Sequence, residues 1–385
     1  MKRISFFIDS LAGGGAERVM LNLANRYALQ GYAVDIVLAH KRGEYLSDVD
    51  ERVRLIDLKV SRFWQYFFPL IRYFRNEQPD VMLSATTILN LLAIMTRKMT
   101  LVKTRLVVSE HIDIVSFAER GALQRPKIVR QLLRFIYPLA DQVVAVSKGA
   151  ANSLATFANL PLATIKPIYN GVIDQHKLDL ANEPIDHPWI GESKEKGIPV
   201  VLGVGRLQDQ KNFPMLLRAF AMLREKTPAR LIILGEGELR DSLQQQAENL
   251  KIDQDVSLHG FEDNPFKYLK NANVFALSSF YEGLPTVLIE ALACGCPVVS
   301  TDCPSGPNEI LENGRYGALV KVDDDKEFAD ALYKALVKEQ SSSEEHQQHK
   351  KNLVEYAEKF GVEQAFAAYS EVLQLNPLED LNAQK

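Results

Sequence analysis

The sequence predicts an α/β protein made of two Rossmann-like, doubly wound domains, and three observations carry the prediction. Short apolar runs alternate with stretches of helical period along the chain, the pattern of parallel strands joined by helical crossovers. At 385 residues the chain exceeds what one hydrophobic core ordinarily serves, so two cores are expected. With 46% hydrophobic and 24% charged residues, the composition is globular and excludes disordered and fibrous classes.

In the first half, strands are expected near Ile4–Ile8, Ala33–Leu38, Val53–Asp57, Val81–Ser84, Arg105–Val108, Val143–Val146 and Ile165–Ile168. In the second half they are expected near Val200–Val204, Leu231–Leu234, Val256–His259, Val274–Leu277, Pro297–Ser300 and Ala318–Val320. The polar stretch Asp174–Gly197, with Pro184, Pro188 and Gly191, reads as the linker. The domains are therefore set at 1–175 and 176–361, and Val362–Leu375 has helical period.

The start, Met1-Lys2-Arg3 before Ile4-Ser5-Phe6-Phe7-Ile8, imitates a signal peptide, but Asp9 ends the apolar run after five residues. The longest membrane-like window, Val81–Met95, contains Ser84, Thr86, Thr87 and Asn90 and is shorter than the ~20 residues a span needs. A cytoplasmic protein is expected. Cys294, Cys296 and Cys303 lack the spacing and the histidine of a zinc site and read as buried small residues in a reducing compartment.

The chemistry-bearing motif is Glu282-Gly283-Leu284-Pro285-Thr286-Val287-Leu288-Ile289-Glu290. Gly283 permits a sharp turn, and Pro285 suits the first position of a helix, where its missing N–H costs nothing. The amides from Leu284 through Thr286 to Val287 would then point outward at the positive end of the helix dipole, a site for a diphosphate. Glu282 before that site and Glu290 after it can each accept hydroxyl hydrogens, bracketing a ligand with hydroxyls on both sides of its phosphates. Taken alone, the pair also fits a helix cap and a solvated face residue. After the strand-like Pro199–Val204, one β-to-α connection delivers Gly205, Arg206, Asp209 and Lys211. Such connections form the crest of a doubly wound sheet, where ligands bind, and two cations there can neutralise a departing diphosphate.

Together these residues resemble the retaining glycosyltransferases of family 4, whose fold is GT-B, two Rossmann-like domains facing across a cleft. The resemblance spans nearly the whole chain, since Gly13-Gly14-Gly15-Ala16-Glu17-Arg18 after the first strand matches that family's first loop. It implies that Glu282 contacts the transferred sugar and Glu290 the ribose diol, that Arg206 and Lys211 bind the diphosphate, and that Gly14, Gly15, Gly283, Leu284, Pro285 and Thr286 line the donor. His111, in Ser109-Glu110-His111, matches the histidine that such enzymes direct at the donor sugar from the other domain. The resemblance further implies that the last helix, about 362–385, packs back on the N-terminal domain. The donor would be a nucleoside-diphosphate sugar, with uridine as the base and guanosine as the alternative. No metal is needed, and net retention arises by same-face substitution. Asp48-Val49-Asp50 imitates a metal-binding D-x-D but has no supporting context, and Asp323-Asp324-Asp325 reads as a helix N-terminal charge cluster.

The formal charge of −4 hides an asymmetry. Residues 1–175 carry 23 Lys and Arg against 15 Asp and Glu, a balance of +8 that leaves −12 for the rest. Two basic stretches are also apolar. In Leu123–Leu139, Ile128, Leu132, Phe135, Ile136 and Leu139 share one helical face, with Lys127, Arg130 and Arg134 on the other. Ser61–Asn76 sets Phe63, Trp64, Tyr66, Phe67, Phe68, Tyr73 and Phe74 among Arg62, Arg72 and Arg75. Such stretches suit an anionic membrane interface. The expectation is a peripheral enzyme on the cytoplasmic face of the membrane, extending a glycan or polyprenyl-lipid-linked acceptor, with no nucleic-acid partner. Pro304-Ser305-Gly306-Pro307-Asn308-Glu309 is similar to bacterial members that build surface polysaccharides or polyprenyl-diphosphate oligosaccharides.

Three rival readings remain at the level of sequence: a nucleotide-sugar epimerase of the same architecture, an NAD-dependent dehydrogenase, and a noncatalytic carbohydrate-binding protein. The second is disfavoured because Arg18 stands where the last glycine of G-x-G-x-x-G belongs. The third is disfavoured because a binding protein has no need of both Arg206 and Lys211.

Overall fold

The computed structural model describes residues 2–12, 14–60, 63–339 and 344–375. Gly13, Ser61, Arg62, the side chains of Phe63 and Trp64, and the last ten residues of the expected 362–385 helix lie outside them. The chain divides into one unit of Met1–Gly171 with Val362–Lys385 and another of Val172–Gly361.

The first unit is built on β1 (Arg3–Ile8), β2 (Ala33–Leu38), β3 (Val53–Asp57), β4 (Val81–Ala85), β5 (Arg105–Glu110), β6 (Gln142–Ala145) and β7 (Ile165–Pro167). They form a parallel sheet in the order β3-β2-β1-β4-β5-β6-β7. The second unit contains β8 (Val200–Val204), β9 (Arg230–Leu234), β10 (Val256–Gly260), β11 (Val274–Leu277), β12 (Val298–Thr301) and β13 (Ala318–Val320). These are also parallel, in the order β10-β9-β8-β11-β12-β13. Helices cover both faces, so strands are buried on both sides: Phe6 and Phe7, adjacent on β1, and Val200, Val201 and Leu202 on β8 are fully buried. The strand order reverses between β1 and β4 in one unit and between β8 and β11 in the other. At such reversals the adjacent connections diverge to opposite faces and leave a crevice.

In the first core, the helix Gly15–Leu29 lays Val19, Met20, Leu23, Ala24 and Tyr27 on the sheet. The helix Val362–Leu373 adds Phe366, Tyr369, Val372 and Leu373 to the same cluster. Its Phe366 ring lies 4.5 Å from that of Tyr27, whose hydroxyl is 3.0 Å from Ser370 Oγ. Each such large side chain contributes roughly 1.5–3 kcal/mol on burial, enough to hold the last helix to this unit. In the second core, Phe213, Leu216 and Phe220 of the helix Phe213–Arg224 pack with Phe328 and Leu332 of Asp325–Glu339.

Two expectations are corrected. The stretch Asp174–Gly197 is not an open linker. It forms the helices Gln175–Leu180, capped by Asp174 through the Lys177 N–H at 2.8 Å, and Pro188–Lys196, and the division falls earlier, at Gly171/Val172. In the aromatic stretch, the helix Phe67–Glu77 buries Leu70, Tyr73 and Phe74, and Tyr66 before it is also buried. Tyr73 donates to Asp35 at 2.7 Å, and Tyr66 to Asp9 at 3.0 Å. Most of its described aromatics thus belong to the core, and Phe68 remains as the strongly exposed one.

The helix Pro126–Ile136 behaves differently. Val129 and Leu133 alone among its residues are buried, while Ile128, Leu132 and Phe135, together with Leu139 beyond its end, are exposed. Lys127, Arg130, Gln131 and Arg134 line an open cleft of about 480 Å³ with Asn159. Among the described residues, no helix is long and apolar enough to cross a membrane.

Candidate active site

The connections after β8 and β11 leave the reversal of the second sheet side by side. After β8, Gly205 and Arg206 lead into a 3-10 turn, Asp209–Lys211, and the left-handed Asn212 (φ 49°) starts the next helix, with Pro214 in its first turn. After β11, Ser278 to Pro285 lead into the helix Thr286–Ala293. Pro285 is therefore the residue before the helix, in extended conformation (φ −68°, ψ 98°), rather than its first residue. Thr286 and Val287 open the helix, and the first N–H groups of an α-helix have no partner within it.

The two connections are laced together. Lys211 Nζ lies 2.7 Å from Glu282 Oε1, which also accepts from Ser279 Oγ at 2.6 Å. Gln210 Nε2 donates to the Tyr281 carbonyl at 3.0 Å and reaches Glu282 Oε2 at 3.4 Å. The Phe280 N–H donates to the Gln210 carbonyl at 2.9 Å, and Ser278 Oγ to the Lys211 carbonyl at 2.7 Å. Glu282 is buried and Lys211 nearly so, so their pairing is shielded from solvent. Arg206, on the same connection as Lys211, is exposed. Glu290 is half-buried on the second turn of the helix that follows Glu282.

Close backbone approach shapes this site at two glycines. A Cβ on Gly306 (φ +101°) would fall 2.4 Å from Pro285 Cδ and 3.2 Å from Leu284 Cα. One on Gly235 (φ +143°) would fall 2.0 Å from the Gly205 carbonyl oxygen, so only glycine lets the β9 connection support the turn carrying Arg206. The Glu282 N–H is held by the Pro304 carbonyl at 3.1 Å. Burial, followed by the nearby Glu282 charge, pushes the Cys303 thiol well above its ordinary range, and burial with the Glu290 charge pushes Cys294 up to about 12. Both are inert as nucleophiles at neutral pH.

Arg206, Lys211, Glu282, Gly283, Leu284, Pro285, Thr286 and Glu290 thus all lie in the second unit, around one reversal. Gly14, Gly15 and His111 belong to the first unit. Gly14 is the N-cap of the helix after β1, and Gly15 is its first, exposed residue. His111 follows β5, and both of its ring nitrogens are enclosed without a hydrogen-bond partner among the described residues. Desolvation lowers its pKa to about 4, which keeps the ring neutral at pH 7. Asp48 of the D-x-D imitation pairs with Arg18 at 2.5 Å, and that guanidinium stacks 3.6 Å from the Tyr45 ring centroid.

Reading by sequence missed Ser279 and Gln210, and it named Gly306 within Pro304–Glu309 without giving it a place in the site. Ser279 stands three residues before Glu282, just after an apolar strand, a local signal that a hydroxyl is available there. Nothing local marks Gly306 as the neighbour of Pro285.

The family model described as "Glycosyl transferases group 1" matches residues 189–360, and that of "Glycosyltransferase Family 4" matches residues 13–176. A Campylobacter jejuni protein is 32% identical over 347 residues, which cover 86% of this chain and 89% of the relative. It is named N-acetylgalactosamine-N,N'-diacetylbacillosaminyl-diphospho-undecaprenol 4-alpha-N-acetylgalactosaminyltransferase. The chain belongs to glycosyltransferase family 4. It is accordingly a glycosyltransferase, and the two parallel-sheet units are those of the GT-B fold. The amylovoran biosynthesis glycosyltransferase AmsD of Erwinia amylovora is 29% identical, covering 88% of this chain and 92% of that one. Among solved structures, Anabaena HepE in complex with UDP and glucose superposes with a TM-score of 0.77 at 20% identity, over 97% of this glycosyltransferase and 100% of HepE. Sucrose-phosphate synthase from Thermosynechococcus elongatus gives a TM-score of 0.80 at 18% identity, over 97% of this chain and 98% of that one.

Proposed function

We propose that this glycosyltransferase moves a hexosyl or N-acetylhexosaminyl residue, with net retention, from a UDP-sugar to a lipid-linked or polysaccharide-precursor acceptor. The observation that carries the donor side is the buried Lys211–Glu282 pair at the sheet reversal. Without donor, each charge neutralises the other. An arriving diphosphate competes for Lys211, and Glu282, freed on one side but still held by Ser279, accepts a hydroxyl of the sugar. Arg206 adds a second cation from the same turn, the helix opening at Thr286 contributes amides, and Glu290 receives the ribose diol. His111 of the first unit takes part in the transfer as a neutral ring.

In the transfer step, the bond from the anomeric carbon to the diphosphate oxygen breaks and the acceptor oxygen bonds to the same face. The acceptor's proton passes to the departing diphosphate oxygen, whose charge Arg206 and Lys211 stabilise. No metal takes part. Uridine as the base is supported by HepE, which was crystallised with UDP. The acceptor class is supported by the Campylobacter jejuni relative, whose name specifies an undecaprenyl-diphosphate-linked glycan, and by AmsD. Peripheral docking on the cytoplasmic membrane face is supported by the exposed apolar stripe and basic cleft of Pro126–Ile136.

The test is transfer from UDP-, GDP- and ADP-sugars to an undecaprenyl-diphosphate-linked glycan, with and without EDTA, and the anomeric configuration of the product read by NMR. UDP at ~100 times its dissociation constant should stabilise the fold by roughly 2.7 kcal/mol. Arg206→Ala and Glu290→Ala should each remove most of that gain. An inverted anomer would overturn retention, stabilisation by GDP alone would replace the base, and loss of turnover in EDTA would overturn metal independence.

A further inference from the structure

Behind His111 lies a polar cluster that the transfer chemistry does not use. Glu110, the last residue of β5, is buried, and its carboxylate accepts from the Tyr137 hydroxyl, from Thr87 Oγ1 at 2.8 Å and from Asn90 Nδ2 at 3.1 Å. No cation pairs with it among the described residues. Burial raises its pKa, and these three hydrogen bonds oppose the rise. The backbone beside it is equally tied. The Ser109 carbonyl accepts from Asn90 Nδ2 at 2.9 Å and from the Thr86 N–H at 3.2 Å, and the Glu110 carbonyl accepts from the Val146 N–H at 3.1 Å.

His111 comes next in the chain, and since neither ring nitrogen is bonded among the described residues, no hydrogen bond of its own sets its ring. Its place is fixed from the two sides: by the Glu110 clamp before it, and after it by Asp113, which caps the helix Ile114–Glu119 through the Ser116 N–H at 2.9 Å. Tyr137, fully buried, stands at the end of the helix Pro126–Ile136, whose other residues present the exposed apolar stripe and the basic cleft.

We propose that Glu110 is a positioning residue that couples the surface helix Pro126–Ile136, through Tyr137, to the placement of His111. A shift of that helix moves the Tyr137 hydroxyl, and a buried carboxyl stripped of one donor must repack against the others, so the strand end and His111 move with it. An anionic membrane surface engaged on the helix thereby sets the placement of the His111 ring. The inference rests on the reading that His111 takes part in the transfer.

The test combines a double-mutant cycle with a spectroscopic readout. Tyr137→Phe removes one hydroxyl and should lower kcat about tenfold, with the donor KM within about twofold. In a His111→Ala background the same change should cost nothing further. Equal losses in both backgrounds would overturn the coupling. Independently, the ring resonances of His111 in histidine-labelled full-length protein, identified by their disappearance in His111→Ala, should shift in Tyr137→Phe and in Glu110→Gln. Unchanged resonances in the Tyr137→Phe protein would overturn the proposal even if activity fell. Resonances that move while His111→Ala keeps full turnover would sink the reading that His111 takes part in the transfer and leave the coupling standing.

Discussion

Glu282 Oε1 and Lys211 Nζ are 2.7 Å apart although they stand 71 positions apart in the chain, and their side chains are 7% and 18% exposed. Breaking a shielded pair on one side leaves the other charge without compensation. Lys211→Ala should therefore cost about 3–5 kcal/mol of stability as well as on the order of 10²-fold in turnover. Arg206→Ala, at an exposed position, should lose turnover on the same order with the melting temperature nearly unchanged. Denaturant unfolding and steady-state kinetics on the two variants check this. Near-normal turnover in either would remove that residue from the leaving-group role.

Gly306 faces the turn that carries Glu282 into its helix. Gly306→Ala places a methyl 2.4 Å from Pro285 Cδ, at a backbone angle that side chains rarely adopt. The expected cost is about 1–3 kcal/mol in stability, with donor affinity weakened as the turn is displaced. Calorimetric titration with UDP reads the second effect, and an unaltered dissociation constant would show that the turn does not shape the donor site.

The pH dependence of stability should carry a signature of His111. Its folded-state pKa of about 4 lies below the ordinary 6.5, so the unfolded chain takes up this proton first on acidification. The contribution of the neutral ring is fully present above pH 6.5 and is lost as pH falls through 4, reaching about 3 kcal/mol at most. His111→Gln should be relatively more stable at pH 4.5 than at pH 7.5 when compared with the parent protein. A constant difference between the two proteins across that range would contradict the assignment.

The helix Pro126–Ile136 should bind anionic vesicles. Ile128→Ser with Phe135→Ser should abolish sedimentation with phosphatidylglycerol-containing vesicles. Each of Arg130→Gln and Arg134→Gln should weaken it by about 1 kcal/mol, an effect that shrinks as salt is raised. Binding insensitive to all four changes would move the membrane contact elsewhere.

The strands were legible because parallel strands covered on both faces read as unbroken apolar runs, as at Val200–Val204, and their bounds follow from where polar residues return. The short helices Gln175–Leu180 and Pro188–Lys196 were not, because they are polar segments among prolines whose caps, Asp174 and His187, are ordinary loop residues until they are seen bonding. The two basic, aromatic stretches looked alike in sequence and part company in the fold. Tyr66 and Tyr73 turn inward to Asp9 and Asp35, whereas Ile128, Leu132 and Phe135 stay outside. Periodicity reports that a helix has an apolar face and not whether a sheet is available to cover it.

By itself the sequence determined what depends on near neighbours: the alternation that makes two parallel sheets, the glycine turn before an apolar helix, and the presence of Arg206, Lys211 and Glu282 on β-to-α connections with Glu290 on the helix that follows. Only the tertiary structure decided that β8 and β11 are neighbours at a reversal, that Lys211 meets Glu282, that Gly306 backs Pro285, and that Glu110 ties Tyr137 to the strand end before His111. The reason is physical. Local propensities act over a few residues, while strand order and the burial that strengthens a charge pair come from packing segments tens of residues apart, whose pairing no local pattern encodes.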